Sequence, residues 1–206
     1  TLYYIDLIPS GSSYSATKQE FLSGTPLPLT DLIAGSDGQL YFATGGRDLD
    51  SHLYRLRYTG TVKNPDQLAM DDSLAPLRQL RRRLEGYHGA GHEQAIPYIW
   101  EQLGHQDRHI RYAARIALEH QPVASWAPLF QNEKETEKTI NAGLALVRQG
   151  EGNLLPLVMA KLTALEFGNL SREQQLGLLR TYALAFIRMG PPDQEYRKAV
   201  IESLQR

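Results

Sequence analysis

The sequence predicts a chain of two halves, with antiparallel strands first and helices second. Over residues 1–58 apolar and polar side chains alternate with a period of two, which is typical of strands. From residue 74 onward apolar residues recur every three or four positions, which indicates amphipathic helices. Residues 59–73 are rich in polar and turn-forming types and are predicted to be a linker. The predicted fold class is a partial β-propeller, its last one to two blades, followed by an α-helical HEAT-like solenoid over residues 74–206.

Composition and charge limit the classes of protein to which the chain can belong. It has 206 residues, 42% of them apolar, which is enough for a core. Lys and Arg number 22 against 23 acids, so the basic excess of a dedicated nucleic-acid binder is absent and no nucleic-acid partner is expected. No apolar run reaches about 18 residues, so no membrane-spanning segment is expected. The first residues already follow a strand pattern without a starting Met, so we expect a piece of a longer protein.

The strand prediction comes from alternation and from turn residues. Asp37-Gly38 is a strong hairpin signal between two alternating runs. The pattern that begins at Leu2-Tyr3 returns at Leu53-Tyr54, 51 residues later, close to the roughly 40–50 residues of a propeller blade. The five predicted strands then belong to two successive blades, and the missing blades lie upstream or on another chain. A small five-stranded sheet covered by the helical half is the alternative. The predicted strands are 1–7, 13–22, 29–35, 39–44 and 51–58.

The helical prediction comes from capping residues and from a repeated small-residue signature. Ala114-x-x-Ala117 and Ala142-x-x-Ala145 place two small residues one turn apart, which lets neighbouring helices approach closely. A looser copy occurs at 182–186. Such spacing is typical of degenerate HEAT-like repeats, and an irregular helical bundle is the alternative. The predicted helices are 74–87, 92–103, 108–121, 136–149, 153–166, 171–189 and 193–205.

One helix, at 108–121, carries a polar stripe opposite its apolar face. The stripe contains three arginines, a tyrosine and a glutamate at helical spacing, and Arg115 and Glu119 are placed to form an ion pair. A solvated face is one interpretation. The other is a protein interface, where Arg and Tyr are favoured. The candidate interface residues are Arg108, Arg111, Tyr112, Arg115 and Glu119.

Other sequence patterns give weaker evidence for a ligand, metal or catalytic site. The run 44–48, Thr-Gly-Gly-Arg-Asp, predicts either a structural turn or an arginine that faces a ligand. Two histidine pairs have i,i+4 spacing, but neither has a third ligand, so no metal site is predicted. The chain has no cysteine, which excludes disulfides, Cys-based zinc sites and covalent haem attachment within these residues. No catalytic triad or carboxylate pair occurs at a recognised spacing, so no catalytic residue is assigned.

Several longer segments of the sequence resemble a known protein family. Residues 26–58 resemble the closing blade of sorbosone- and glucose-dehydrogenase-like quinoprotein propellers, and more narrowly the "membrane-bound dehydrogenase" type proteins of planctomycetes. Residues 80–89, 107–126 and 179–193 resemble helical segments that follow that blade. The resemblance implies an exported, periplasmic protein with a propeller, helical repeats and a haem-c domain. It places Asp31 and Arg47 near a central cofactor.

Two functions follow for this chain. The first is the C-terminal fragment of a quinoprotein sugar or alcohol dehydrogenase-like protein, whose helical repeats pack on the propeller and position a cytochrome domain. The parent would then hold pyrroloquinoline quinone (PQQ) and haem c, whereas this fragment holds no cofactor and is not an enzyme by itself. The alternative is a non-catalytic scaffold or accessory subunit that binds other subunits of a larger assembly.

Overall fold

A computed structural model of the chain describes residues 1–61 and 73–205. Within them five strands are followed by eight helices, which confirms the predicted order of strands and then helices. The chain divides at Leu74 into a strand unit and a helical unit, and residues 11–13 group with the second. Most of the predicted linker, 59–73, lies outside the described residues.

The strands form two small antiparallel sheets. Strands β1 and β2 pair with each other, and β4 lies between β3 and β5 in the second sheet. The Asp-Gly turn forms as predicted, because Gly38 takes a φ of 74° and Asp37 accepts a hydrogen bond from the backbone N–H of Gln39 (3.1 Å). The strands are β1 (Leu2–Ser10), β2 (Ser13–Leu22), β3 (Leu29–Ala34), β4 (Leu40–Gly46) and β5 (Leu49–Leu56).

The prediction of a partial β-propeller is wrong. A blade is a sheet of four strands, whereas the strands here form sheets of two and three. The prediction depended on a sequence pattern that recurs after 51 residues. The two copies of this pattern lie in β1 and β5, which are outer strands of different sheets. Alternation and turn residues therefore located the strands correctly, but they did not determine how strands group into sheets.

The strand unit buries few apolar side chains. Phe42, on the central strand β4, is the one apolar residue within 1–61 that is buried, and its ring stacks on that of Tyr54 at 4.9 Å. By contrast Leu53 is 75% exposed, and Ile33 and Tyr58 are also exposed. The apolar side chains of these strands consequently remain largely exposed.

The helices have unequal lengths, and proline begins several of them. Pro97 lies in the first turn of α2, so it delays the start of that helix instead of kinking it. The sequence pattern did not predict α4, a six-residue helix that contains Pro128. The helices are α1 (Ala75–Glu85), α2 (Ile96–Gln102), α3 (Arg108–Glu119), α4 (Ala127–Asn132), α5 (Thr136–Gln149), α6 (Leu155–Thr163), α7 (Arg172–Arg188) and α8 (Gln194–Gln205).

The core of the helical unit lies along α1, α3, α5 and α7, each of which packs against the next in the series. The alanines at 114, 117, 142 and 145 are fully buried, so the small-residue signature marks close helix contacts. Trp126 and Phe130 fill the space beside them and are also fully buried. The helices range from six to 17 residues in length, so they form a helical unit without a constant repeat and not the predicted HEAT-like solenoid.

Candidate functional site

Helix α3 places a row of polar side chains over a groove. Asp107 caps the helix by accepting a hydrogen bond from the backbone N–H of His109 (2.8 Å), as the sequence predicts. The face that carries Ile110 and Ala114 is fully buried. Because the buried face is fixed, Arg108, Arg111 and Tyr112 are directed to the other side, where α3, α5 and α7 meet.

Arg111 connects three helices. Its guanidinium lies 3.0 Å from a carboxylate oxygen of Glu137 in α5 and 2.9 Å from one of Glu173 in α7. It also donates to the backbone carbonyls of His105 (2.8 Å) and Gln106 (2.9 Å). The side chain is only 11% exposed. Arg111 therefore pairs with two carboxylates of its own unit, which leaves one excess negative charge on the three groups, and it connects the walls of the groove.

A second arginine cluster lies deeper along α3. Arg115 and Glu119 are both buried and form the predicted ion pair, and Arg148 of α5 donates to the other oxygen of Glu119 at 2.8 Å. Burial lowers the pKa of the Arg115 guanidinium below its usual range, although Glu119 opposes the shift. The hydrogen bond to Glu119 raises the pKa of Arg148. These paired charges connect α3 to α5.

The groove itself is a cavity of about 470 Å³ at the junction of α3, α5 and α7. Its apolar lining comes from Ile140 and Leu144 of α5, and the exposed ring of Tyr112 borders it. Gly177 lets α7 approach α5 closely, since a Cβ at this position would lie 3.0 Å from Ile140 Cγ2. The other lining residues are Arg108, His109, Arg111, Arg115, Glu137, Asn141, Glu173, Gln174 and Arg180.

Two further arginines border this groove. Arg108, at the start of α3, and Arg180, in α7, are both exposed. In the part of the chain that the structure describes, neither takes part in a hydrogen bond or an ion pair. Among the residues that line the groove, four arginines stand against two glutamates, so the groove combines net positive charge with an apolar floor.

The five residues of the predicted stripe therefore have different surroundings. Arg111, Arg115 and Glu119 are held inside the helical unit, whereas Arg108 and Tyr112 remain accessible. A simple solvated face does not describe the stripe, and contact with a partner stays a prediction. Sequence reasoning missed Glu137, Glu173 and Arg180, which lie on helices distant in sequence from α3.

The residues suggested as cofactor ligands belong to the strand unit. Asp31 is exposed on β3 and accepts a hydrogen bond from the backbone N–H of Leu32 (2.8 Å). Arg47 is exposed in the turn between β4 and β5, beside Asp48 with its φ of 61°. A cavity of about 430 Å³ near that turn is lined by Thr44 and His52, among others, but by neither Asp31 nor Arg47. A cofactor role for the two stays a prediction.

The histidines serve local structure. The ring of His88 lies 2.9 Å from the carbonyl oxygen of Ala113, and His105 accepts a hydrogen bond from the backbone N–H of Asp107 (2.9 Å). Over residues 1–61 and 73–205, no three His, Cys, Asp or Glu side chains are grouped so that they could bind a metal ion. In the same residues, every helix is too short or too polar to cross a bilayer.

Comparisons of the chain with known protein families, with curated proteins and with solved structures found no match. Any proposal about function therefore depends on the residues of this chain alone.

Proposed function

We propose that the chain is a non-catalytic scaffold or accessory subunit whose groove between α3, α5 and α7 binds a short acidic segment of a partner protein. One observation carries the proposal: Arg108 and Arg180 expose guanidinium groups around an apolar floor, and neither is paired with any residue that the structure describes. The other two arginines of the groove are already paired within the helical unit. Binding specificity therefore depends on Arg108 and Arg180.

The chemistry of the groove suits a peptide that carries both carboxylates and an apolar side chain. Guanidinium groups bind carboxylates through two parallel hydrogen bonds, which gives both affinity and orientation. Ile140 and Leu144 offer an apolar surface for a neighbouring side chain, and Tyr112 adds an aromatic ring of the kind enriched in interfaces. A volume of about 470 Å³ lies within the usual range of ligand sites and accommodates a few residues.

The dehydrogenase interpretation receives no further support. It placed the helical repeats on a propeller, and the strands form two small sheets instead. A quinone or haem in a parent protein, a cytochrome partner and an exported location remain predictions from the resemblance. The scaffold proposal depends on none of them.

The test is a selection of displayed peptides on the whole chain. Peptides of about 12 residues are selected on the parent protein, synthesised, and measured by calorimetry against the parent and Arg108→Glu/Arg180→Glu. The control is Lys134→Glu/Lys198→Glu, which changes net charge equally at two exposed lysines outside the groove.

We expect selected peptides to be rich in Asp and Glu and to bind more weakly as salt increases. The groove variant should lose at least tenfold in affinity, about 1.4 kcal/mol, and the control should lose little. Selection of peptides without acidic residues, or equal affinity for both variants, would refute the proposal.

A further inference from the structure

Helix α7 is apolar on two separate faces. One face is buried in the core of the helical unit and includes Leu178, Tyr182 and Ala185. The other faces solvent, and we call it the outer stripe: Leu176, Leu179, Ala183 and Ile187. Leu176 is 60% exposed and Ile187 77% exposed. A helix at the surface of a protein normally has one apolar face, so the second face needs an explanation.

The outer stripe has the geometry of a helix-pairing surface. Its members lie at i, i+3, i+7 and i+11, which places them in one row along the helix. At about 1.5 Å per residue the row is roughly 16 Å long, enough for a partner helix of three turns.

The charges beside the outer stripe are positive. Helix α7 contains three arginines and a single acid, Glu173, whose carboxylate pairs with Arg111 in the groove. Arg188 donates to the backbone carbonyls of Val147 and Arg148, so it faces α5. Arg172 and Arg180 remain exposed next to the outer stripe, and neither has an ion-pair partner within the described residues.

We propose that the outer stripe binds an amphipathic helix of a partner protein, with apolar residues along its centre and acidic residues at its flanks. The apolar row would pack against the outer stripe, while carboxylates at one end and along one edge of that row would pair with Arg172 and Arg180, respectively. Arg180 borders both the groove and the outer stripe, whereas Leu176 and Ile187 belong to the outer stripe and do not line the groove, so the proposal does not depend on the proposed function.

A second copy of the chain fits the outer stripe poorly. In an antiparallel pair the twofold axis would pass near the middle of the row, about 2 Å along the helix axis from Arg180. The two Arg180 side chains would then face each other, and like charges at such a position are unfavourable. An acidic helix converts the same arginines into attractive contacts.

The test uses a labelled synthetic helix of about 18 residues, long enough to be helical, with Leu at heptad positions a and d and Glu at e and g. Its counterpart has Lys in place of each Glu. Fluorescence anisotropy measures binding to the parent chain, to Leu176→Glu and to Ile187→Glu. Ile201→Glu on α8 is the matched control, since Ile201 is 57% exposed. Sedimentation velocity measures self-association, and circular dichroism checks that each variant folds.

We expect the acidic peptide to bind at least tenfold more tightly than the basic one. Leu176→Glu and Ile187→Glu should weaken it at least tenfold, while Ile201→Glu and the single substitution Arg108→Glu, at a groove residue outside helix α7, should not. Equal binding of both peptides, absence of binding, or self-association that both stripe variants abolish would overturn the proposal.

Discussion

The two units of this chain treat their apolar side chains in opposite ways. The helical unit buries Trp126, Phe130 and the alanines of α3 and α5 completely. The strand unit leaves large side chains such as Leu53 and Tyr58 exposed, and within 1–61 it buries one apolar residue, Phe42. The contrast shows that a clear period-two pattern predicts strands but not a surface that covers them. Stability should therefore depend far more on the helical unit than on the strand unit.

The largest difference is expected from truncation of one apolar residue in each unit. Phe130→Ala should lower the free energy of unfolding by about 3–5 kcal/mol, because it removes a fully buried ring from a packed core. Leu53→Ala should change it by no more than about 0.5 kcal/mol, since Leu53 is mostly exposed. Urea unfolding followed by circular dichroism measures both. Similar losses would show that Leu53 is covered in solution and would remove the contrast.

The next largest effect concerns the arginines of α3. Arg111→Ala should cost about 2–4 kcal/mol, because Glu137 would lose its buried partner and two carbonyls would lose a donor. Arg108→Ala, on the same helix, should stay within about 0.5 kcal/mol because Arg108 is exposed. Thermal unfolding of the two variants is the measurement. Two variants indistinguishable from the parent would mean that Arg111 is solvated.

A smaller effect concerns acid stability of the loop before α5. Burial alone would raise the pKa of Glu133, but hydrogen bonds from the Glu135 N–H, the Trp100 indole (2.7 Å) and the Lys134 N–H hold it below its ordinary 4.5. Because the folded pKa is depressed, the stabilisation is complete above pH 4.5 and is lost as pH falls through the folded pKa.

Glu133→Gln should therefore lower stability by about 1 kcal/mol at neutral pH, and the difference from the parent should shrink in acid. Chemical unfolding at a series of pH values follows this. A difference that stays constant with pH would assign the effect to shape and not to charge.

The smallest expected effect on stability concerns a hydrogen bond in the strand unit. The hydroxyl of Tyr41 donates to Asp37 at 2.8 Å and, together with the backbone N–H of Gln39, lowers the pKa of this fully exposed carboxyl. In Tyr41→Phe the pKa of Asp37 should rise towards its ordinary value, with little change in the melting temperature. Titration of the carboxyl carbon by NMR measures the shift. An unchanged pKa would show that the turn does not hold this hydrogen bond in solution.

Local structure could be predicted from the sequence because it depends on near neighbours. The Asp37-Gly38 turn, the Asp107 cap and the start of α5 at Thr136 each depend on a few adjacent residues. The short helix α4 was missed because six residues with a proline carry too little periodicity. The grouping of strands into two sheets could not be predicted from a sequence pattern that recurs in two distant segments.

The candidate site was only half predictable for the same reason. The polar stripe of α3 follows directly from helical spacing, but the partners of Arg111 lie on α5 and α7. Glu173 is 62 residues away in sequence, and no local pattern links it to Arg111. Which arginines are neutralised, and hence which remain free for a ligand, depends on tertiary packing alone.

The contacts of Arg111 have a consequence for the thermodynamics of recognition. Its rigid, planar guanidinium fixes the separation of α3, α5 and α7 before any partner arrives. A receptor whose walls are already in place loses little conformational entropy when it is occupied, so more of the contact energy appears as affinity. In the proposed complex, association would then require no slow rearrangement, and the lifetime would be set by the contacts that must break when the peptide leaves.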